Sequence, residues 1–198
     1  ELSNVNNDLL MKFSSEAPGT FQHSLQVSSL ATEAAVAINA NPLLARTGAL
    51  YHDIGKMTNP LYFTENQISG INPTSSLPFE DAAGIIINHV KEGVKIAQKN
   101  NIPNIIIDFI RTHHAESKVK YFYNSFKNEY PEKEIDESLF TYPGPKPYTK
   151  ELAIVMMADA IEATSRSLKE YTESNIEKMV DEIIDSQISE GSFRNAPI

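Results

Sequence analysis

The 198-residue chain has no cysteine, only 8 glycines and few runs typical of β-strands. Without cysteine it can form neither a disulfide scaffold nor a thiolate metal site, and it offers no cysteine nucleophile. No apolar run approaches the ~20 residues of a membrane-spanning helix, and neither a signal peptide nor a lipidation motif is visible. These absences argue against a disulfide-rich secreted fold and are compatible with a reducing cytosolic setting.

Basic residues are also in the minority. Seventeen Lys and Arg face 26 Asp and Glu, which gives a formal net charge of −9. Because binding to long nucleic acid depends on clustered Lys and Arg, this charge argues against such a partner. If the substrate carries phosphate, some group other than the side chains must neutralise it. The length and the 41% hydrophobic content suit one domain with a substantial core.

The hydrophobic periodicity is helical nearly throughout and predicts an all-α fold. Helices are expected at residues 4–14, 18–39, 42–53, 80–100, 103–115, 117–129, 150–169 and 173–190. Two proline-rich segments, 56–79 and 131–149, interrupt them and read as long loops. Loops of this length are the places where we expect lids or binding elements.

Seven polar residues extend or interrupt the apolar stripes of these helices. They comprise all five histidines and two aspartates: His23, His52, His89, His113, His114, Asp53 and Asp159. A lone histidine on an apolar face is more often a hydrogen-bonded core residue than a ligand. A buried carboxylate, in contrast, costs several kcal/mol unless a cation or a donor cluster compensates it. Imidazole and carboxylate together suit Zn, Fe, Mn or Ni.

The number of these residues favours two metal ions over one. Seven ligands are too many for one ion, but they fit two divalent ions that share a bridging carboxylate. Two such ions and two aspartates leave a charge of about +2, which suits a phosphate substrate. Two bound metal ions would therefore allow an acidic protein to bind an anion.

The string formed by His52, Asp53, Ile54 and Gly55, followed by Lys56, resembles the HD superfamily of metal-dependent phosphohydrolases. That superfamily has an all-helical fold and a His…His-Asp…Asp pattern, which His23, His52-Asp53 and Asp159 match. The further residues His89 and His113-His114 resemble the binuclear site of cyclic-dinucleotide phosphodiesterases.

Other segments narrow the resemblance to PgpH-type receptors over residues 17–190. The similar segments are 17–24 (APGTFQHS), 43–56 (LLARTGALYHDIGK), 63–67 (FTENQ) and 142–147 (YPGPKP). These bacterial receptors have seven transmembrane helices and a cytosolic HD domain that hydrolyses cyclic di-AMP. The resemblance implies an HD-domain helical bundle at 17–198, preceded by an N-terminal helical connector at 1–16. It also implies a cytoplasmic domain of an inner-membrane receptor, attached to the membrane only through a flanking region.

The resemblance implies a division of the metal ligands. His23, His52, Asp53 and Asp159 would hold one ion, and Asp53, His89, His113 and His114 would hold the other, with Asp53 bridging. The family suggests Fe or Mn. The two ions would activate a water that opens cyclic di-AMP to linear pApA, with Asp53 and Lys56 as catalytic groups.

Further residues are candidates for substrate contact, each with a structural alternative. Lys56 would reach a phosphate oxygen, or it is a solvated lysine. Thr20 would donate to the substrate, or it is an N-cap. Tyr62 and Asn66 would contact a base together with Phe63, or they pack the loop. Arg46 and Arg111 are candidate phosphate contacts with the same ambiguity.

Several functions stay open at this point. HD-type nucleotidases and (p)ppGpp hydrolases mostly use one metal, and His89 with His113-His114 argues against them. Cyclic di-GMP phosphodiesterases carry Gly-Tyr-Pro, whereas this chain has Thr141-Tyr142-Pro143. A sensor that binds cyclic di-AMP without cutting it and a helical bundle with polar core residues are further alternatives. The apolar positions of the last helix pack on this domain or on a second copy, which leaves a homodimer open.

Overall fold

The computed structural model describes residues 2–67 and 72–198. Within them the chain forms α1 (Asp8–Glu16), α2 (Pro18–Ala37), α3 (Pro42–Tyr51), α4 (Phe79–Lys99), α5 (Asn104–Thr112), α6 (Lys120–Glu129), α7 (Lys150–Ser165) and α8 (Glu173–Ser189). The only β-type pairing in these residues is an isolated bridge between Lys118 and Thr141. The predicted all-α fold is therefore confirmed. None of the described helices has the length and apolar character of a membrane span.

The helix starts follow local signals in the sequence. Pro18 and Pro42 lie in the first turns of α2 and α3, where a missing N–H costs nothing. Asn41 caps α3 by accepting a hydrogen bond from the Leu44 N–H at 3.0 Å. The alternative interpretation of Thr20 as an N-cap is wrong, because Ala17 occupies that position and Thr20 lies buried in the first turn.

Four helices end two or more residues earlier than the periodicity predicts. The helices expected to reach residues 39 and 169 end at Ala37 and Ser165. The helix expected to reach residue 53 ends at Tyr51, and the one expected to reach 115 ends at Thr112. The backbone leaves α5 through a left-handed residue, Ala115, with φ of 48°. A Cβ on Gly55 would lie 1.8 Å from the His89 carbonyl oxygen, so only glycine allows α4 to approach this closely.

The two long loops contain short 3-10 turns and are anchored to the helices. The first carries turns at Ile54–Thr58, Pro60–Tyr62, Thr64–Asn66 and Pro73–Ser76, and Gly70 lies outside the described residues. The second has one turn, Glu137–Phe140, whose Phe140 is buried with Phe122 and Phe126 of α6. Their role as lids or binding elements stays a prediction.

Two of the core clusters join the helices that surround the site. In one, α2, α3, α5 and α7 meet through small and branched side chains around Phe109. A Cβ on Gly48 would lie 2.3 Å from the Phe109 ring, so glycine allows the close contact of α3 with α5. The other cluster includes Leu10 and Phe13 of α1 together with Leu50 of α3. The predicted connector thus contributes helix α1 to the same core, while the boundary at residue 16 stays a prediction.

Candidate metal centre

The seven predicted ligands come together where five helices meet. His23 lies on α2, His89 on α4 and Asp159 on α7, whereas His52-Asp53 and His113-His114 follow the last turns of α3 and α5. Six of the seven are buried, and the His114 side chain is 26% exposed. The early ends of α3 and α5 therefore bring two consecutive side chains from each turn into the centre.

The seven residues form two groups that share Asp53. We call His23, His52, Asp53 and Asp159 the carboxylate-rich group, and Asp53, His89, His113 and His114 the histidine-rich group. In each group, one ligand atom from each residue lies within 4.8 Å of all the others. The two groups coincide with the division that the resemblance implies.

The carboxylate of Asp53 divides its two oxygens between the groups. Oδ2 lies 3.2 Å from His52 Nε2 and 3.7 Å from His23 Nε2. Oδ1 lies 3.3 Å from His89 Nε2 and 3.5 Å from His113 Nε2. Ligand atoms bonded at ~2.0–2.2 Å to one cation lie roughly 3–4 Å apart, so each oxygen has the spacing of a ligand to its own ion.

Asp159 completes the carboxylate-rich group. Its Oδ1 lies 2.9 Å from His23 Nε2 and 3.7 Å from His52 Nε2. Its Oδ2 points towards the other group and lies 3.9 Å from His114 Nδ1. The two groups are thus adjacent as well as joined by Asp53.

Backbone carbonyls orient three of the imidazoles. His52, His89 and His113 donate from Nδ1 to the carbonyls of Ala49, Ile86 and Ile110, at 2.6, 2.6 and 2.9 Å. This bond leaves Nε2 with its lone pair directed into the centre, as metal-binding histidines require.

Two buried atoms of the centre test whether these residues fit a metal. Among the described residues, His52 Nε2 and Asp53 Oδ1 are buried without any hydrogen-bond partner. Such atoms cost free energy unless something satisfies them. The Nε2 atoms of His89 and His113 also lie only 3.2 Å apart. A cation between these atoms would remove both costs, so the donor set fits divalent metal ions.

The two groups differ in their electrostatics. Burial would raise the pKa of Asp53, but the charges of Lys56 and His52 outweigh it and hold that pKa well below its usual range. Burial also opposes ionisation of Asp159, yet the hydrogen bond from His23 and the nearby imidazole of His52 keep its pKa well below the usual range. Burial favours neutral His52, but the charge on Asp53 raises its pKa to about 10. The carboxylates therefore draw positive charge into this group.

In the histidine-rich group, burial favours the neutral form of His113 and His114. Burial lowers the pKa of His113 despite the nearby carboxylate of Asp53. Burial and then the neighbouring His113 hold the pKa of His114 well below its usual range. Tyr142 stacks on His114, with ring centroids 4.1 Å apart and planes 25° apart. Neutral imidazoles are the form in which histidine binds a metal.

Lys56 joins the centre to the first long loop. Its Nζ lies 2.8 Å from Asp53 Oδ2 and 2.9 Å from Glu65 Oε1. Burial would lower the pKa of Lys56, but Asp53 and Glu65 raise it instead. Thr20 donates to Glu65 at 2.9 Å, and the Asn66 side chain donates to Thr20 at 2.7 Å. Thr20, Glu65 and Asn66 thus fasten the loop to α2.

A cavity of about 560 Å³ opens over the centre. Its wall includes His23, Lys56, Glu65, His113, His114, Asp159, Lys118, Lys120, Arg166, Met179 and Gln187. In the described part of the chain, the predicted contacts Thr20, Arg46, Tyr62, Asn66 and Arg111 are not on this wall. Arg111 lies 3.3 Å from Asp108 on its own helix. Apart from Lys56, the predicted substrate contacts therefore remain predictions without support from the cavity.

Three residues of the centre are not among the site residues that the sequence predicts. Glu162 of α7 is hydrogen-bonded to His23 Nδ1, Glu65 pairs with Lys56, and Tyr142 stacks on His114. Glu162 follows Asp159 by one helical turn within a mostly apolar helix. This spacing could have identified Glu162 in the sequence, because a carboxylate on a buried helix face needs a partner.

Comparison with known proteins places these observations in a family. A model of the HD domain matches residues 20–164. The cyclic-di-AMP phosphodiesterase PgpH of Listeria monocytogenes serotype 1/2a (strain 10403S) is 43% identical over 198 residues, covering 100% of this chain and 27% of the relative. PgpH of Bacillus subtilis (strain 168) is 42% identical over 193 residues, covering 98% and 27%. The chain thus spans about a quarter of the length of these curated relatives.

A solved structure agrees with the fold. The crystal structure of the L. monocytogenes PgpH HD domain in complex with cyclic-di-AMP matches with a TM-score of 0.93 at 43% identity, covering 98% of this chain and 90% of that one. The family model matches most of the chain. Together with this structure, it confirms the resemblance indicated by the His52-Asp53-Ile54-Gly55 string and the dispersed histidines. The chain belongs to the HD domain family.

Proposed function

We propose that this domain is a metal-dependent phosphodiesterase that hydrolyses cyclic di-AMP to linear pApA. The observation that carries the proposal is Asp53, whose two oxygens face two separate groups of ligands at the base of the cavity. The similarity to PgpH, a cyclic-di-AMP phosphodiesterase, supports the substrate. A cavity of about 560 Å³ lies within the usual range for small-molecule sites.

Two divalent ions are proposed, one in each group, with iron or manganese as their identity. His23, His52 and Asp159 would hold the first, His89, His113 and His114 would hold the second, and Asp53 would serve both. When bound, such ions acidify a water and neutralise charge on a phosphate. Metal analysis of the domain, purified without added metal and without oxygen, tests both the number and the identity.

The chain's own residues would seat the substrate. Lys56 carries three N–H donors, of which Asp53 and Glu65 engage two, so one is left for a phosphate oxygen. Lys118, Lys120 and Arg166 also lie on the cavity wall, where each is paired with a carboxylate, of Glu137, Glu190 and Glu162 respectively. Cyclic di-AMP carries two phosphates, so it matches a cavity that has metal ligands at its base and Lys56 beside them.

The proposed reaction adds one water across a phosphodiester bond. The oxygen of the water becomes bonded to phosphorus, the bond from phosphorus to the 3′ oxygen breaks, and that oxygen leaves with a proton. The phosphate stays on the 5′ carbon, so the ring opens to pApA. No side chain forms a bond to phosphorus in this scheme, so the residues act by holding charge and orienting groups.

One assay tests the proposal. The purified domain is incubated with Mn²⁺ and with cyclic di-AMP or cyclic di-GMP in parallel, and the products are separated by chromatography. We expect pApA from cyclic di-AMP, slow conversion of cyclic di-GMP, and no turnover by His52→Gln. Binding of cyclic di-AMP without turnover, with metal present, would favour the sensor. Faster conversion of cyclic di-GMP would assign the domain to the other branch.

We also propose that this domain is the cytoplasmic part of a larger membrane receptor, since its curated relatives are about four times as long. A homodimer through α8 is a further proposal, because Ile176 and Ile188 of that helix are 40% and 58% exposed. Fractionation of cells that express the whole protein tests the first proposal. Sedimentation of the domain, with and without Ile188→Glu, tests the second.

A further inference from the structure

His23 is held differently from the other oriented imidazoles of the centre. His52, His89 and His113 each donate from Nδ1 to a carbonyl three residues earlier in their own segment. His23 instead uses Nδ1 to bind the carboxylate of Glu162, which lies on another helix, α7. Its orientation therefore depends on a side chain, which a substitution can remove.

Glu162 is almost completely enclosed. The residue is 5% exposed, and its two oxygens have different partners. Oε2 bonds to His23, while Oε1 accepts from Arg166 Nε at 3.0 Å and from Arg166 Nη2 at 2.6 Å. Both oxygens are thus fixed, one by a candidate metal ligand and the other by a guanidinium on the cavity wall.

Helix stability alone does not explain this arrangement. An exposed ion pair between residues i and i+4 supports a helix without the cost of burying a carboxylate. Burial of Glu162 against His23 adds that cost, because a carboxylate taken out of water must recover its lost hydration from its partners. What the burial provides is a charged acceptor behind the imidazole.

The position of Glu162 on α7 also matters. Asp159, Glu162 and Arg166 are spaced by three and four residues, so they lie on one face of the helix. Asp159 meets Nε2 of His23 at 2.9 Å, and Glu162 meets Nδ1 of the same ring. One helix face therefore holds both nitrogens of His23.

We infer that Glu162 is a positioning residue for metal binding: it fixes the ring of His23 through Nδ1, and Arg166 fixes Glu162. This inference rests on the metal site of the proposed function. A carboxylate behind a histidine sets its tautomer, directs Nε2 at the ion and makes that nitrogen a stronger ligand. Loss of such a partner typically weakens metal affinity by about 10- to 100-fold.

The Mn²⁺ affinity of Glu162 variants tests the inference directly. The purified domain is stripped of metal, and Mn²⁺ binding is followed by calorimetry and by the EPR signal of the free ion. We expect Glu162→Ala to bind Mn²⁺ about 10- to 100-fold more weakly than the wild-type chain. Glu162→Gln keeps the size and one acceptor oxygen, so it should recover part of the loss. Arg166→Ala should show a smaller loss, because it leaves the bond between Glu162 and His23 in place.

Controls separate positioning from folding. Glu151→Gln removes a carboxylate from the same helix, at a residue that accepts from the Asn41 N–H 2.8 Å away and lies outside the cavity wall. It should bind Mn²⁺ as the wild-type chain does. Melting of each metal-free variant by circular dichroism shows whether it is folded, and Glu162→Gln provides the comparison if Glu162→Ala does not fold.

The outcomes are distinct. Unchanged Mn²⁺ affinity in folded Glu162→Ala, or in folded Glu162→Gln where the alanine variant does not fold, would overturn the role of Glu162 and leave the proposed function intact. An equal loss in Glu151→Gln would also overturn it, because the effect would then follow from the helix. A wild-type domain that binds neither Mn²⁺ nor Fe²⁺ would refute the metal site itself, and the inference with it.

Discussion

The two ligand groups of the centre reach a similar geometry by different means. The carboxylate-rich group has two aspartates and, behind His23, a third carboxylate from Glu162. The histidine-rich group has only the shared Asp53, and its imidazoles are held by backbone carbonyls and by the stacked Tyr142. The first group combines charge with one backbone carbonyl, behind His52, whereas the second depends on backbone geometry and packing.

This difference predicts different affinities for a cation. In the first group, negative charge attracts a cation before any bond forms, as the raised pKa of His52, to about 10, indicates for protons. In the second group, neutral imidazoles offer lone pairs but little net charge, since burial lowers the pKa of both His113 and His114. The asymmetry is therefore open to test by changing one group at a time.

The largest effect is expected where the groups meet. Asp53→Asn keeps the shape of the side chain but removes the charge that both groups share. We expect turnover of cyclic di-AMP to fall by at least about 10³-fold and metal content to fall in both groups. Metal analysis of the same preparation as the activity assay checks both effects.

Asp181→Asn is the matched control for this variant. Asp181 lies on the exposed face of α8 and has no place in either group. The control should retain wild-type activity. Full turnover by metal-free Asp53→Asn would refute the binuclear centre.

The contact between Gly55 and α4 holds the two groups next to each other, and it provides the second test. A Cβ on Gly55 would lie 1.8 Å from the carbonyl oxygen of His89, so Gly55→Ala must push α4 away from Asp53. We expect a loss of about 1–3 kcal/mol in the free energy of unfolding, together with a loss of activity. Urea denaturation and the phosphodiesterase assay measure the two effects.

Gly84, which lies on α4 itself, offers a control. A Cβ there would meet nothing within 4 Å, so Gly84→Ala should be neutral or should stabilise α4 by up to about 1 kcal/mol. If Gly55→Ala were as stable and active as Gly84→Ala, the close approach of α4 would not be needed to hold the groups together.

The sequence predicts the ligands better than it predicts what holds them. Each ligand interrupts or extends an apolar helical stripe, and the residues of the His52-Asp53-Ile54-Gly55 string are consecutive. Both features can therefore be recognised from neighbouring residues alone. Glu162 was not predicted, because its partner His23 lies 139 residues away and only packing of α2 on α7 brings them together.

Helix ends were harder to predict for the same reason. The apolar period of α5 continues through His113, yet the helix ends at Thr112 and the chain turns at Ala115. No glycine or proline marks this end, so tertiary contacts decide it. The substrate contacts were also uncertain, because Arg46 and Arg111 carry suitable charge but their direction depends on how each helix is rotated.

Removal of metal should proceed in two steps if the groups differ as argued. The domain is loaded with Mn²⁺ and titrated with a chelator. We expect the histidine-rich group to release its ion first, at a chelator activity at least about tenfold lower than the one that empties the carboxylate-rich group. The extra carboxylate of Asp159 accounts for the difference, because a second negative charge near the ion strengthens attraction by more than the ~1.4 kcal/mol that a tenfold change needs.

Variants assign the two steps of that titration. His89→Gln should lack the step at low chelator, and Asp159→Asn should lack the step at high chelator. A single step in the wild-type domain, or the reverse assignment, would contradict the proposed order of affinities.

The smallest effect is expected at the aromatic support of the histidine-rich group. Tyr142→Ala removes the ring stacked 4.1 Å from His114, a contact of about 0.5–1.5 kcal/mol, so turnover should fall roughly 2- to 10-fold. Tyr142→Phe keeps the ring and should stay near wild type, and Tyr171→Ala, at a tyrosine that is 68% exposed, controls for loss of a tyrosine. Initial rates at saturating Mn²⁺ decide between them. An equal loss in Tyr142→Phe would transfer the role from the ring to its hydroxyl, and the histidine-rich group would then depend on a polar partner as His23 does.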